Sequence, residues 1–236
     1  MLHVLSADRV ASIRLGDAAS QVVASKDSVL VLQSNNRLAR CPRVSPACSD
    51  QATPDPRIQS IGIDVAGTLF FGCSNGAIVT DGHTCGERAA TQDSRPITAM
   101  AVSAKAVLRV ADQTVCVSSR TDLDSCDPLP TGNDAVSAGA ISFDGALGAT
   151  VVGANINIYR RGFPTWIPWA SHHYALQSRI QTAGDVLAVD FSDDASWIRA
   201  VTIWNNSELV VQCFPVTATA MQQAPQRVQC GIGAVQ

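Results

Sequence analysis

The fold is decided by a stretch that reads Ala138-Gly139-Ala140-Ile141-Ser142-Phe143, Asp144-Gly145, Ala146-Leu147-Gly148-Ala149-Thr150-Val151-Val152 and, after a second turn, Asn155-Ile156-Asn157-Ile158-Tyr159. Asp-Gly and Asn-containing turns favour tight hairpins because these residues tolerate positive φ. The runs between the turns are short and rich in Val, Ile, Leu and Thr, which is typical of strands. This stretch therefore predicts three consecutive strands joined by two tight turns.

The same order of strands and turns recurs in four further segments, at residues 21–41, 60–79, 98–117 and 186–213. Equivalent third-strand positions lie 40, 37, 41 and 53 residues apart, at Leu38, Ile78, Val115, Ile156 and Leu209. Three intervals fit one period, and the last holds an insertion of about a dozen residues. A lone sheet of this size cannot bury both faces, whereas radial repetition lets neighbouring sheets cover each other.

A length of 236 residues allows one large or two small domains, and the repeat favours a single domain over residues 1–236. Hydrophobic residues make up 46% of the chain and charged residues 16%, which is enough apolar material for a sizeable core. The net charge is −3 and no run of Lys or Arg occurs, so no nucleic-acid partner is expected. No stretch approaches the roughly 20 apolar residues of a membrane span. The sequence has no sustained hydrophobic period of 3.6 residues, so no helix is predicted.

Residues 136–145 and 186–194 resemble the WD-repeat class of β-propellers, and a loose likeness extends over residues 20–232. The Gly-His and Trp-Asp pairs of that family do not recur in these repeats, and Ile203-Trp204-Asn205 is the nearest remnant of the second pair. The resemblance implies an all-β fold, a single β-propeller of about five four-stranded blades. A β-sandwich of similar size is the alternative, which the constant interval disfavours.

The repeats divide the chain at residues 20–57, 58–95, 96–133, 134–174 and 175–236. Residues 1–19 come before the first repeat and contain alternating apolar residues. The resemblance implies that they supply a strand that joins the last blade and closes the ring. A detached N-terminal tail is the alternative.

The eight cysteines fall into four pairs that are local in sequence: Cys41 with Cys48, Cys73 with Cys85, Cys116 with Cys126, and Cys213 with Cys230. In three pairs the first cysteine lies on the third strand of its repeat. The second lies where an antiparallel fourth strand is expected, close enough for an intra-blade disulfide. Cys73 departs from this rule because it ends a second strand. Buried free thiols are the alternative, and the absence of Cys-x-x-Cys disfavours a metal site.

Disulfides predict an oxidising compartment, which is extracellular, periplasmic or an organelle lumen, rather than the cytoplasm. The first eight residues lack the basic and then apolar regions of a signal peptide. Two alternatives follow: the chain is a processed or partial product, or its cysteines are reduced.

The least repeat-like stretch is residues 162–174, which holds half of the tryptophans and half of the histidines. Its rings form a candidate partner surface: Phe163, Trp166, Trp169, His172, His173 and Tyr174. Aromatic faces beside polar groups stack on sugars or anchor protein partners. The alternative is that these rings pack between the fourth and fifth blades. Adjacent histidines diverge on a strand, which disfavours a metal site.

Catalytic and cofactor motifs are missing: no nucleophile elbow, P-loop or dinucleotide glycine pattern occurs. Asp64 and Asp190 lie near the ends of first strands and are the acid candidates for a glycoside hydrolase, whereas neither Glu87 nor Glu208 has a partner by spacing. A lectin would need similar aromatic residues in every blade. We therefore predict a non-enzymatic protein-interaction or scaffold propeller, an extracytoplasmic accessory subunit of a larger assembly. The lectin and the glycosidase are the alternatives.

Overall fold

A computed structural model describes residues 2–5, 10–13, 18–24, 28–42, 48–86, 95–162, 173–182, 184–204 and 208–216. These residues form twenty β-strands and no helix. Within them, therefore, no helix is long and apolar enough to cross a membrane. The chain divides into two compact units, residues 1–97 and 98–236.

The first unit contains a hairpin and two sheets. The hairpin pairs β1 (Leu2–Leu5) with β2 (Val10–Ile13). The first sheet has four strands in chain order: β3 (Ala19–Ala24), β4 (Ser28–Gln33), β5 (Arg37–Pro42) and β6 (Ser49–Ala52). The second sheet has three described strands: β7 (Ile58–Ile63), β8 (Leu69–Cys73) and β9 (Ile78–Thr80). All pairings are antiparallel.

The second unit contains three sheets, each again an antiparallel meander in chain order. The third sheet comprises β10 (Ala99–Val102), β11 (Ala106–Ala111), β12 (Thr114–Ser119) and β13 (Asp122–Pro128). The fourth comprises β14 (Ala138–Ile141), β15 (Leu147–Val152), β16 (Asn155–Gly162) and β17 (His173–Gln181). The fifth comprises β18 (Asp185–Phe191), β19 (Trp197–Trp204) and β20 (Glu208–Pro215).

Burial follows the position of a strand within its sheet. The second strands β4, β8 and β11 are buried at every residue. A strand covered on both faces needs apolar residues throughout, which explains the near-continuous apolar runs in the sequence. The fourth strands are mostly exposed, and all of β6 faces solvent.

The cores lie between neighbouring sheets of the same unit. In the first unit, Leu30 and Leu38 of the first sheet pack with Ile61 and Phe71 of the second. In the second unit, one cluster joins the third and fourth sheets and another joins the fourth and fifth. Each sheet is thus stabilised by apolar burial against its neighbour, as the repeat predicts.

The repeat positions are confirmed, because all five equivalent residues lie on the third strand of a sheet: Leu38, Ile78, Val115, Ile156 and Leu209. The all-β prediction is confirmed as well, with three or four described strands in each sheet. The long interval is explained by the ten-residue connection between β16 and β17, residues 163–172. The fourth sheet consequently extends to Gln181, beyond the boundary that the repeat spacing predicts at residue 174. β1 pairs with β2, and the ring-closing strand stays a prediction.

Three disulfides have both cysteines within the described residues. Cys41–Cys48 links β5 to the residue before β6, and Cys116–Cys126 links β12 to β13, so both are third-to-fourth-strand bonds as predicted. Cys73–Cys85 forms too and joins the end of β8 to the turn after β9. This disulfide is possible because β9 has only three residues, so the turn after β9 lies close to the end of β8. Cys213 is not a free thiol, and Cys230 lies outside the described residues.

Candidate functional site

The turn between the first two strands of the fourth sheet is held by the side chains of Ser142 and Asp144. Ser142 Oγ donates to Asp144 Oδ1 at 2.8 Å and accepts from the amide of Leu147 at 2.9 Å. Asp144 Oδ1 also accepts from the amide of Ala146 at 2.9 Å, and this bond is the main cause that lowers the pKa of Asp144. The turn closes with Gly145 at φ 74°, a conformation that glycine adopts without strain.

The corresponding turn of the fifth sheet repeats the same hydrogen bonds with Ser192 and Asp194. Ser192 Oγ donates to Asp194 Oδ1 at 2.6 Å and accepts from the amide of Trp197 at 3.0 Å. The hydroxyl and amide of Ser196 donate to the same carboxylate. The hydroxyl groups of Ser192 and then Ser196 lower the pKa of Asp194 to about 2.

Both turns lie at the same end of the second unit. β18 begins beside the opposite end of the fourth sheet, because the amide of Val186 donates to the carbonyl of Gly153 at 3.2 Å. Gly153 lies in the turn between β15 and β16, so β18 runs away from that turn and ends level with the turn at Ser142. The third sheet contributes Lys105 to this end, close enough to Asp144 to help lower the pKa of that carboxyl.

Four side chains on or beside these turns are exposed. Phe143 is 50% exposed and Trp197 is 39% exposed, which are high values for large aromatic residues. Asp193 and Asp194 are also exposed. We call these four side chains the turn-end surface: Phe143, Asp193, Asp194 and Trp197. Exposed aromatic residues on a fixed backbone are typical of binding sites.

The connection that carries the predicted aromatic surface begins and ends beside this surface. The amide of Arg161 donates to the carbonyl of Ala146 at 2.8 Å, and Gly162 pairs with His173. Tyr174 is buried, and its hydroxyl donates to the carbonyl of Gly145 at 2.5 Å. Burial raises the pKa of Tyr174 to about 12.

The six residues predicted to bind a partner therefore fall into three groups by their location. His173 is exposed at the start of β17. Tyr174 lies in the core between the third and fourth sheets. The other four lie outside the described residues: Phe163, Trp166, Trp169 and His172.

The two predicted acids lie in different units and have different surroundings. Asp64 is buried, and its Oδ1 accepts from the amide of Thr68 at 2.8 Å, so it holds the turn after β7. Asp190 on β18 is 67% exposed and pairs with Arg199 at 2.6 Å. Desolvation by the protein around Asp190 raises the pKa of its carboxyl, although Arg199 opposes the shift. In the described part of the chain, no group of three His, Cys, Asp or Glu residues could hold a metal ion.

Sequence reasoning missed the turn-end surface. Its signal is the repeated Ser-x-Asp spacing, Ser142 to Asp144 and Ser192 to Asp194, followed in each case by the second strand. Aligning the repeats on this turn, rather than on the third strand, would have shown Phe143 and Asp193 at the same position.

Comparison with solved structures identifies the fold. The β-propeller domain of Cps50 (Swd1) from Myceliophteria thermophila superimposes with a TM-score of 0.54 and 10% identity, covering 85% of this chain and 85% of that chain. No family model matches this sequence, and no curated protein matches it. Likeness at this identity shows the fold alone, and function has to be argued from the surface. The protein is an all-β propeller with five blades, formed by the five sheets, and it resembles WD-repeat propellers.

Proposed function

We propose that this protein is a non-enzymatic interaction module that binds a protein partner through the turn-end surface. The observation that carries the proposal is the exposure of Phe143 and Trp197 on neighbouring turns. Large aromatic side chains are frequent binding anchors because they bury much area at little entropic cost.

The backbone beneath these side chains supports the proposal. Ser142 and Asp144 fix one turn, and Ser192 and Asp194 fix the other, without using Phe143. A surface held in one conformation loses little entropy on binding, which favours affinity. The arrangement therefore suits a preformed docking site.

The connection between β16 and β17 extends the proposed surface. Its ends, Gly162 and His173, lie beside the turn at Gly145. We include its aromatic and histidine side chains in the partner site: Phe163, Trp166, Trp169, His172 and His173. Tyr174 then acts as a positioning residue, because it holds the start of β17 against that turn.

The three disulfides support a location in an oxidising compartment, extracellular, periplasmic or lumenal. There the module serves as an accessory subunit of a larger assembly. A sugar-binding role is less well supported, because the position of Phe143 is occupied by Asp193 in the fifth sheet and by Ala104 in the third. A lectin of this architecture needs the same residues at every blade.

The test is partner capture followed by reconstitution. Tagged protein is purified from its native source, the copurifying protein is identified and expressed, and the affinity of the pure pair is measured by calorimetry. The double variant Phe143→Ala/Trp197→Ala should weaken binding by at least roughly 30-fold, as expected for anchor residues. Leu187→Ala is the matched control, because Leu187 is also 50% exposed but lies near the start of β18, away from the turn.

Thermal unfolding of each variant separates lost binding from lost folding. Native affinity in a folded double variant would overturn the proposed surface. Wild-type protein that remains monomeric and without a stable partner would overturn the proposed function.

A further inference from the structure

The charges around Trp197 are unbalanced. Asp190, Asp193 and Asp194 lie within five residues at the end of β18 and in the turn that follows it. Arg199 pairs with Asp190 at 2.6 Å. Asp194 is bound by Ser192 and Ser196. Among the residues that the structure describes, this part of the surface therefore carries three carboxylates against one guanidinium.

Asp193 is the carboxylate that stays available. It is exposed, and no described residue forms a hydrogen bond or ion pair with it. Desolvation is the main cause of the raised pKa of Asp190, and the negative charge of Asp193 adds to it. The negative potential at this turn is thus present before any partner binds.

The neighbouring turn of the fourth sheet is balanced instead. Asp144 lies near Lys105 of the third sheet. Beyond it, Arg161 pairs with Asp127 at 3.0 Å. The turn-end surface is therefore apolar and neutral at Phe143, and apolar and acidic at Trp197.

We infer that the partner presents a basic segment, with an arginine or lysine for Trp197 and Asp193 and an apolar side chain for Phe143. This inference rests on the proposed function. A cation over the face of a tryptophan is attracted by the ring, and a nearby carboxylate adds a direct ion pair. An apolar side chain of the partner that packs on Phe143 buries apolar surface, which stabilises the complex more than an exposed ion pair does.

A second copy of this chain is a poorer occupant of the same surface. A two-fold contact would bring Asp193 of each copy towards the same acidic patch on the other. The chain as a whole has a net charge of −3, which adds to the repulsion. Charge complementarity thus favours a foreign basic segment.

The test uses fluorescein-labelled peptides of twelve residues, one alternating Arg and Leu, a second alternating Glu and Leu, and a third alternating Arg and Gly. Binding to the full chain is followed by fluorescence anisotropy at low and at moderate salt. The Arg-Leu peptide should bind more tightly than both others, and added salt should weaken it because exposed charges are screened.

Asp193→Lys should weaken the Arg-Leu peptide roughly three- to tenfold, and Asp193→Asn by less, in line with an exposed ion pair. Asp185→Lys is the matched control, because Asp185 is an exposed carboxylate at the opposite end of β18. It should leave the affinity within about twofold. Equal losses for Asp185→Lys and Asp193→Lys would show mere net-charge attraction, and equal affinity for the acidic peptide would show binding that does not depend on charge; either result would overturn the inference.

Two further outcomes separate this inference from the proposed function. If Phe143→Ala/Trp197→Ala abolishes binding of the captured partner but Asp193→Lys does not change it, the docking surface stands and the basic segment is wrong. If neither variant changes partner binding, both are wrong. A dimer that depends on Phe143 in sedimentation experiments would replace the foreign segment with a second copy.

Discussion

The second and fourth sheets hold their outer segments in different ways. In the second sheet, β9 has only three residues, and the chain after it is fixed to the end of β8 by the Cys73–Cys85 disulfide. In the fourth sheet, β17 has nine residues, eight of which pair along β16, and no cysteine occurs between residues 138 and 181. Tyr174 closes that sheet by its hydrogen bond to Gly145.

The difference shows that a disulfide and a long strand pairing are two alternative ways to hold the outer segment of a sheet. The short β9 offers few backbone hydrogen bonds, so the segment 81–86 depends on side chains. Besides the disulfide, Asp55 accepts from the amide of Cys85 at 3.0 Å, and Asn75 donates to its carbonyl at 3.0 Å. In the fourth sheet, where the strand pairing is long, the hydrogen bond from the buried hydroxyl of Tyr174 suffices to hold the outer strand. Four variants test this contrast.

Replacing both Cys73 and Cys85 with Ala should have the largest effect, lowering the free energy of unfolding by about 3 kcal/mol because the unfolded chain regains the freedom of a closed loop. Urea unfolding measures the loss. Amides of residues 81–86 should also exchange faster with solvent in the native state. The matched variant Cys116→Ala/Cys126→Ala should leave the β12–β13 amides better protected, because backbone bonds persist there. Unchanged exchange at residues 81–86 would show that the disulfide is not what holds this segment.

Asp55→Asn should cost about 2 kcal/mol, since the buried carboxylate accepts charge-assisted hydrogen bonds from Arg57 at 2.7 and 3.0 Å. The Arg57 guanidinium is the main cause that lowers the pKa of Asp55 from 3.8 to about 2. The stabilisation by Asp55 is therefore complete above about pH 4 and is lost as the pH falls towards 2.

Acid unfolding monitored by circular dichroism checks this second variant. Asp55→Asn should lose less stability than wild type between pH 4 and pH 2. An identical acid dependence in the two proteins would contradict the assigned role. Asp50→Asn is the control, because the Asp50 carboxylate pairs with Arg37 while 37% exposed.

Tyr174→Phe should cost about 1 kcal/mol, because the carbonyl of Gly145 loses its buried donor. The raised pKa of Tyr174 adds an alkaline signature. Wild-type stability should decline as the pH rises from about 10 to about 12, since the unfolded chain ionises first, and the Phe variant should decline less. Urea midpoints at neutral and alkaline pH provide the measurement. A Phe variant as stable as wild type would mean that strand pairing alone closes the fourth sheet.

Ser142→Ala should have the smallest effect, about 0.5–1 kcal/mol, because the amide of Leu147 loses one acceptor while the turn keeps the Asp144 bond to Ala146. Thermal unfolding is the readout. The fourth sheet would then be shown to rely on strand pairing more than on its turn. A loss as large as that of the double cysteine variant would reverse this ranking.

Much of the fold was predictable because its determinants are local. Hairpin turns such as Asp144-Gly145 and the apolar runs beside them reveal strands without knowledge of the rest of the chain. The third-strand positions and the bonds Cys41–Cys48 and Cys116–Cys126 followed from the same period.

The features that could not be predicted depend on contacts between residues that are far apart in the sequence. The length of β9 decides whether Cys85 reaches Cys73, and no local signal in the sequence gives that length. Counting residues also cannot tell whether an insertion lies inside a sheet or after it, so the connection at 163–172 was assigned to the interval between blades. Tyr174 followed an aromatic segment and was expected at a surface. Its burial depends on the distant turn at Gly145, whose carbonyl accepts a hydrogen bond from its hydroxyl.

The duplicated Ser-x-Asp turn also has a practical use. Its middle residue, Phe143 in one copy and Asp193 in the other, takes no part in the hydrogen bonds that define the loop. The same scaffold already tolerates an aromatic ring and a carboxylate there. These two sites are therefore suitable places for a randomised library, in which new binders are selected on a framework that stays constant.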